Sequence, residues 1–312
     1  MNDITHKAIG IDFGGTSIKP AVVAGDTIVE DLPRLVTADY DCAESIIAAL
    51  AEVINKTLKN HPEIKAVGIG VPGFVDFNQG IVRDLPNVAG WKNIPMQEML
   101  ETATGLPVKL ENDANAMAYA EWKYGAAKGS EHVVAMTLGT GLGGGLIINN
   151  QLVRGHNFVA SEIGHISVDQ DGAPGNYNNP GGVETYIGNQ AITKYAQQRY
   201  QDAGHDFTLE SCEPYQLFKK ASDGDAIALE IWEYIAKNLA TVIATLCWAL
   251  NPEKIVIGGG TANAGKFLFD PLREKVQAQL SRSHYEKLQI LPAHYQNDAG
   301  KIGSASIALD SL

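Results

Sequence analysis

Short unbroken apolar runs punctuate this chain, and the stretches between them carry apolar residues at helical spacing. Residues 7–11, 66–71, 108–110, 132–138, 254–257 and 288–291 are too short for helices and rich in β-branched residues, so they read as buried strands. Residues 16–23 read as the return strand of a hairpin with 7–11, and 27–32 adds a third strand. Residues 144–148 turn back on 132–138, and Asn149-Asn150 makes a tight turn into 151–153. Ile46, Ile47, Leu50, Val53, Ile54 and Leu58 share one face of a helix over 41–59, with Asp41 as its N-cap. Further helices are predicted over 94–104, 114–124, 188–200, 214–221, 225–250, 269–280 and 303–309. Residues 169–182, rich in Gly, Asn and Pro, form a loop.

The order is hairpin, helix, strand, helix, strand, and then much the same again. That pattern predicts an α/β protein of two similar lobes around a cleft. The boundary falls near Asn112: a small lobe over 1–111, completed by the closing helix at 300–312, and a large lobe over 112–299. The long apolar helix over 225–250 could serve a core or an interface, and the core reading is preferred.

Composition narrows the class. With 312 residues and a formal net charge of -12, the chain has ample core-forming content and no basic run, which argues against a nucleic-acid surface. Cys42, Cys212 and Cys247 are few, scattered and odd in number, so a disulfide framework is not expected and the chain reads as cytoplasmic. The start runs straight into a strand, with no leader expected. The most apolar helical window, 239–250, is too short to cross a bilayer.

The candidate chemistry lies at three glycine turns, each leaving a strand: Gly14-Gly15-Thr16, Gly139-Thr140-Gly141 with Gly143-Gly144-Gly145 behind it, and Gly258-Gly259-Gly260. Bare backbone can approach a polyphosphate closely and point N–H groups at it. Any one of them is compatible with an ordinary turn; together they suggest a nucleotide held between lobes. Asp12 can hold Mg²⁺ through water, Thr16 can reach a terminal phosphate and Lys19 can neutralise charge. The first turn is not a Walker A loop, because no Gly-Lys-Ser/Thr opens a helix. Asp113, at a strand-to-helix junction, is a helix N-cap or a general base, with Asn112 orienting the same hydroxyl. Glu162, His165 and Glu184 flank the loop and suit a polyol; His165 fits a sugar ligand or a metal ligand equally.

Asp12-Phe13-Gly14-Gly15-Thr16, Glu111-Asn112-Asp113-Ala114-Asn115-Ala116, 138–145 and Glu162-Ile163-Gly164-His165, in that order, resemble the ROK family of bacterial sugar kinases and repressors. Pro86-Asn87 with Trp91 is similar to the family's Asn-x-x-x-Trp segment. The resemblance runs from Ile9 to about Ala308. It implies an actin-like, hexokinase-type fold and ATP- and Mg²⁺-dependent phosphorylation of a hexose, glucose first. In that reading Asp113 is the base on the primary hydroxyl, and Gly73, Asn112, Glu162, His165 and Glu184 bind the sugar. The Gly14 and Thr140 turns hold phosphates, and Gly259 lies near the adenosine. The resemblance also implies a homodimer.

One segment departs from the family. Typical members place three zinc-binding cysteines after Glu-x-Gly-His; here Gly175, Tyr177 and Gly182 stand at those positions, so no zinc site is expected. Polyphosphate-using members also lack the cysteines, but an acidic chain offers no basic track for a long polyanion, and ATP is preferred as donor. Other hexoses remain open as acceptors: N-acetylglucosamine, N-acetylmannosamine, mannose, fructose or allose. A repressor of this family would need an N-terminal helix-turn-helix, for which no room is expected before about Ala8. A non-catalytic sugar-binding module is the remaining alternative, and Asp113 beside Asn112 argues against it.

Overall fold

The computed structural model describes residues 6–85, 88 and 91–312; the Pro86-Asn87 pair therefore lies outside the described residues. The first sheet begins with a meander of β1 (Lys7–Phe13), β2 (Ser17–Ala24) and β3 (Thr27–Asp31), with the short β4 (Leu35–Val36) pairing beside β2. Helix α1 (Ala43–Asn60) leads to β5 (Ile64–Val71). A small separate sheet follows: β6 (Val75–Asp76), β7 (Ile81–Asp84) and β8 (Lys92–Ile94). Helix α2 (Met96–Thr104), β9 (Val108–Asn112) and α3 (Asp113–Lys123) complete this half.

The second half repeats the plan. β10 (Val133–Leu138), β11 (Leu142–Ile148) and β12 (Gln151–Leu152) form the meander. The helices α4 (Glu184–Ile187), α5 (Asn189–Asp202), α6 (Pro214–Ser222) and α7 (Ala226–Leu250) intervene before β13 (Lys254–Gly258). Then come α8 (Lys266–Gln279), α9 (Arg282–Tyr285), β14 (Gln289–Pro292) and α10 (Ala299–Asp310). The sheet orders are β3-β2-β1-β5-β9 and β12-β11-β10-β13-β14. In both, the meander pairs antiparallel and the two crossover strands add in parallel. The α/β class with two similarly built halves is thus observed.

Several expected boundaries move. Cys42, not Asp41, occupies the N-cap of α1, and Ser45 Oγ donates to its carbonyl at 2.8 Å. The helix expected from residue 94 starts at Met96, because 92–94 pair with β7. The one expected from 269 starts at Lys266 and so takes in Pro271 at its sixth residue, where the ring removes one intrahelical donor. The closing helix starts at Ala299 rather than 303.

Each half has its own core, of first-sheet residues with α1 and α2, and of second-sheet residues with α5 to α8. A third cluster joins them through α3 and α10. The helix that follows each sheet packs on the other one: α10 lies on β1 and β5, and α3 on β10 and β11. The seat of α10 is tight, since a Cβ on Gly68 would lie 1.8 Å from the Ser304 carbonyl oxygen. Gly68→Ala is therefore expected to cost about 1–3 kcal/mol, read as a lowered Tm.

Candidate active site

A cleft of about 880 Å³ runs between the halves. Gly14, Gly15 and Thr16 border it from the first sheet, and Gly139, Thr140 and Gly141 from the second. Asn112, Asp113 and Gly73 lie at its floor, with Glu162, His165 and Glu184 on the far wall. Most of the expected donor and acceptor residues are therefore brought together, at the ends of strands of both sheets and along the segment 161–184; Asp12, Lys19, Gly258 and Gly260 do not line the cleft.

The junction of β9 with α3 shows how the floor is built. Asn112, not Asp113, is the N-cap: its Oδ1 accepts from Ala114 N at 3.0 Å and Asn115 N at 3.1 Å. Its Nδ2 donates to Gly73 O at 3.3 Å, leaving one amide N–H for a ligand. Asp113 follows at the first helical position and accepts from Ala114 N at 2.8 Å. Burial pushes the Asp113 carboxyl up to about 6; the Ala114 N–H opposes this, and the negative charges of Asp12 and Glu162 add to it.

Behind the floor, Glu111 is buried and fully engaged. Its Oε1 accepts from Asn112 N and Asn115 Nδ2, both at 3.0 Å, and its Oε2 from Arg154 Nε at 2.7 Å. The Arg154 guanidinium stacks over the Phe77 ring, 3.8 Å from its centroid. Sequence reading missed Arg154, because nothing in the chain connects it to a partner 43 residues away. Asp84, which borders the cleft beside Gly73, was missed for the same reason.

On the far wall Glu184 links the two parts of the site. Its Oε2 accepts from Leu142 N at 2.9 Å, next to the Thr140 turn, and its Oε1 from Asn176 Nδ2 at 3.1 Å. Glu162 faces His165 at 3.8 Å; burial raises its carboxyl above the usual range, His165 opposes this and Glu184 reinforces it.

The glycine turns divide by use. Gly139 has open space where a Cβ would point, as a ligand-approach position requires. Gly143 and Gly145 instead let β11 approach α3, with Ala114 Cβ and Ala118 Cβ at 2.9 and 2.4 Å from where their own Cβ atoms would sit. Helix–sheet packing thus accounts for part of the density of that run. In the third turn Gly259 borders the cleft, Gly258 is buried against Met117 and Ala293, and the exposed Gly260 opens a short 3-10 helix.

Asp12 and Lys19 are cross-strand partners in β1 and β2, with Lys19 Nζ 3.2 Å from Asp12 Oδ2. Among the described residues no three His, Cys, Asp or Glu side chains converge as a metal cage. A single carboxylate beside a phosphate turn nevertheless suits Mg²⁺, which is held by one or two carboxylates, waters and substrate phosphates. In the segment that carries Gly175, Tyr177 and Gly182, Gly175 N donates to Asn179 O at 2.7 Å, and Asn179 Nδ2 donates to His165 O at 2.7 Å.

The fold and this cleft define a two-lobed α/β protein of the actin-like, hexokinase type. The model of the ROK family matches residues 8–311, and the chain belongs to that family. It is 35% identical to the glucokinase of Thermotoga maritima over 98% of both chains. A ROK family glucokinase from Streptomyces griseus, solved in complex with glucose and AMPPNP, superimposes with a TM-score of 0.83 at 33% identity, covering 97% of this chain and 99% of that one. The ROK hexokinase of Thermus thermophilus gives a TM-score of 0.84 at 30% identity over 98% of both chains. No helix among the described residues is long and apolar enough to cross a membrane.

Proposed function

We propose that this protein is an ATP-dependent hexose kinase that phosphorylates the primary (C6) hydroxyl of glucose. The observation that carries this is Asp113: a carboxylate with a raised proton affinity, on a rigid helix start, between a phosphate-type turn and a polyol-type wall. The similarity to the Thermotoga glucokinase, and to a relative solved with glucose and an ATP analogue, supports the same reading.

In this mechanism Asp113 accepts the proton of the hydroxyl as it attacks phosphorus. The free N–H of Asn112 fixes that hydroxyl or its neighbour, while Glu162, His165 and Glu184 accept from or donate to the ring hydroxyls. Backbone N–H groups at Gly15, Thr16, Thr140 and Gly141 line the donor's phosphates, with Gly259 toward the nucleoside. Asp12 would hold Mg²⁺ through water, and a bound ion would supply charge neutralisation at the phosphates. Phosphoryl transfer needs positioning more than covalent help, so the chain's main contributions are orientation and exclusion of water.

The same reading treats 1–111 with 300–312 as the small lobe and 112–299 as the large one, supported by the seating of α10 on β1 and β5. It takes the protein as a cytoplasmic homodimer that binds neither nucleic acid nor membrane, in keeping with a net charge of -12 and three unpaired cysteines.

The test is a panel of hexoses with ATP, GTP and polyphosphate, followed by coupled release of ADP or loss of polyphosphate. Glucose with ATP is expected to give the highest kcat/KM; sugar-independent ADP release alone would overturn the reading. Because the base acts deprotonated, kcat/KM should fall about tenfold per pH unit below a midpoint near 6, and level off above it.

A further inference from the structure

Residues 174–180 form a closed turn. Pro174 and Pro180 pair in an antiparallel bridge, Gly175 N donates to Asn179 O at 2.7 Å, and Asn178 N donates to Gly175 O at 3.0 Å. The bond from Asn179 Nδ2 to His165 O ties this turn to the sugar wall. Tyr177 stands at its apex with 65% of its surface exposed, yet it borders the cleft. A large ring held beside the cleft by a braced turn offers apolar surface that a ligand can cover.

Its neighbours show where that ligand would lie. The His165 ring meets it edge-on, with centroids 5.1 Å apart and planes at 79°. Phe74 also approaches it, to 6.4 Å with planes at 34°. Phe74 also borders the cleft and directly follows Gly73, whose carbonyl is held by Asn112 at the floor. Two aromatic rings, one after β5 and one from the turn at 174–180, thus lie side by side at the cleft near the polyol-type side chains.

A pyranose has a rim of hydroxyls and two faces of C–H bonds. The polar groups named above suit the rim, and none of them suits a face. We propose that Tyr177 and Phe74 form an aromatic clasp over the sugar, with Tyr177 packing on a C–H face and so selecting among hexoses. The proposal rests on the hexose-kinase reading and deepens it. An all-equatorial sugar such as glucose presents clean C–H faces to a ring. An epimer with an axial hydroxyl, such as galactose or mannose, sets a polar group against one of them.

The experiment compares Tyr177→Ala, Tyr177→Phe, Phe74→Ala and the double alanine variant. Stacking of this kind corresponds to about a five- to tenfold rise in glucose KM for Tyr177→Ala, with the KM for ATP nearly unchanged. Its preference for glucose over the axial epimers should shrink. Tyr177→Phe should behave as wild type, because the ring and not the hydroxyl makes the contact. The double variant should lose little more than either single one. An unmoved glucose KM in Tyr177→Ala, equal damage from Phe and Ala, or losses that multiply in the double variant would each overturn the clasp.

Calorimetric glucose binding without nucleotide separates the two levels. Tyr177-dependent binding without turnover keeps the clasp and removes the kinase reading. Turnover indifferent to Tyr177 does the reverse, and absence of both binding and turnover for every hexose removes both.

Discussion

Asp113→Asn is expected to lower kcat by about three orders of magnitude while making the protein more resistant to heat at neutral pH. The loss follows from the site: an amide cannot accept the hydroxyl proton, yet Asn is close in shape and its Oδ1 can keep the bond from Ala114 N. The gain follows from linkage. The carboxyl is held at about 6 in the folded protein by burial and by Asp12 and Glu162, against an ordinary value of 3.8. Below pH 4 it is neutral in both folded and unfolded chains, and burial of its charge costs nothing. As pH rises through 4 to 6 the unfolded chain ionises first, and stability declines until the folded group has ionised too. The asparagine variant escapes this penalty, of order 1–2 kcal/mol after allowing for partial solvation. Thermal unfolding at pH 3.5 and pH 7.5, beside the kinetics, checks it. Wild type and variant should melt alike at the lower pH and diverge at the higher. An unchanged kcat would remove Asp113 as the base.

Arg154→Met is expected to be the most damaging single change outside the cleft. The Glu111 side chain is 5% exposed, with its Oε2 2.7 Å from Arg154 Nε. Removing the cation leaves a buried carboxylate with only amide donors, a change that costs about 3–5 kcal/mol. Methionine retains part of the packing on Phe77, so the loss reports mainly on the charge. Glu111→Gln in the same chain should recover much of the stability, because a neutral amide needs no cation. Chemical denaturation of the single and double variants measures this, and a single variant within about 1 kcal/mol of wild type would show that Glu111 finds another partner. Since Glu111 Oε1 also holds Asn112 N, glucose KM should rise with Arg154→Met even where the protein remains folded.

Strands and long helices were legible in the sequence for a simple reason. β1, β5, β10 and β13 are buried on both faces, so they appear as continuous apolar runs. The small sheet of β6, β7 and β8 was not legible. Its strands are only two to four residues long, too short for any periodicity to emerge. At the site, residue types and order pointed to Asp113 and the glycine turns. They did not reveal that Asn112 caps the helix, since either of two adjacent cap-forming side chains satisfies the pattern. Nor did they show that Gly143 and Gly145 serve helix packing: a glycine is equally bare toward a phosphate and toward an alanine methyl. The brace of Arg154 on Glu111 is a tertiary fact, set by the path of the chain after β12.

The placement of α10 bears on how the protein is made. Strands β1 and β5 leave the ribosome early, but the surface that residues 299–310 cover stays bare until nearly the whole described chain has been translated. The first half therefore completes its packing only when residues 299–310 arrive, and until then the face of β1 and β5 that α10 covers stays open.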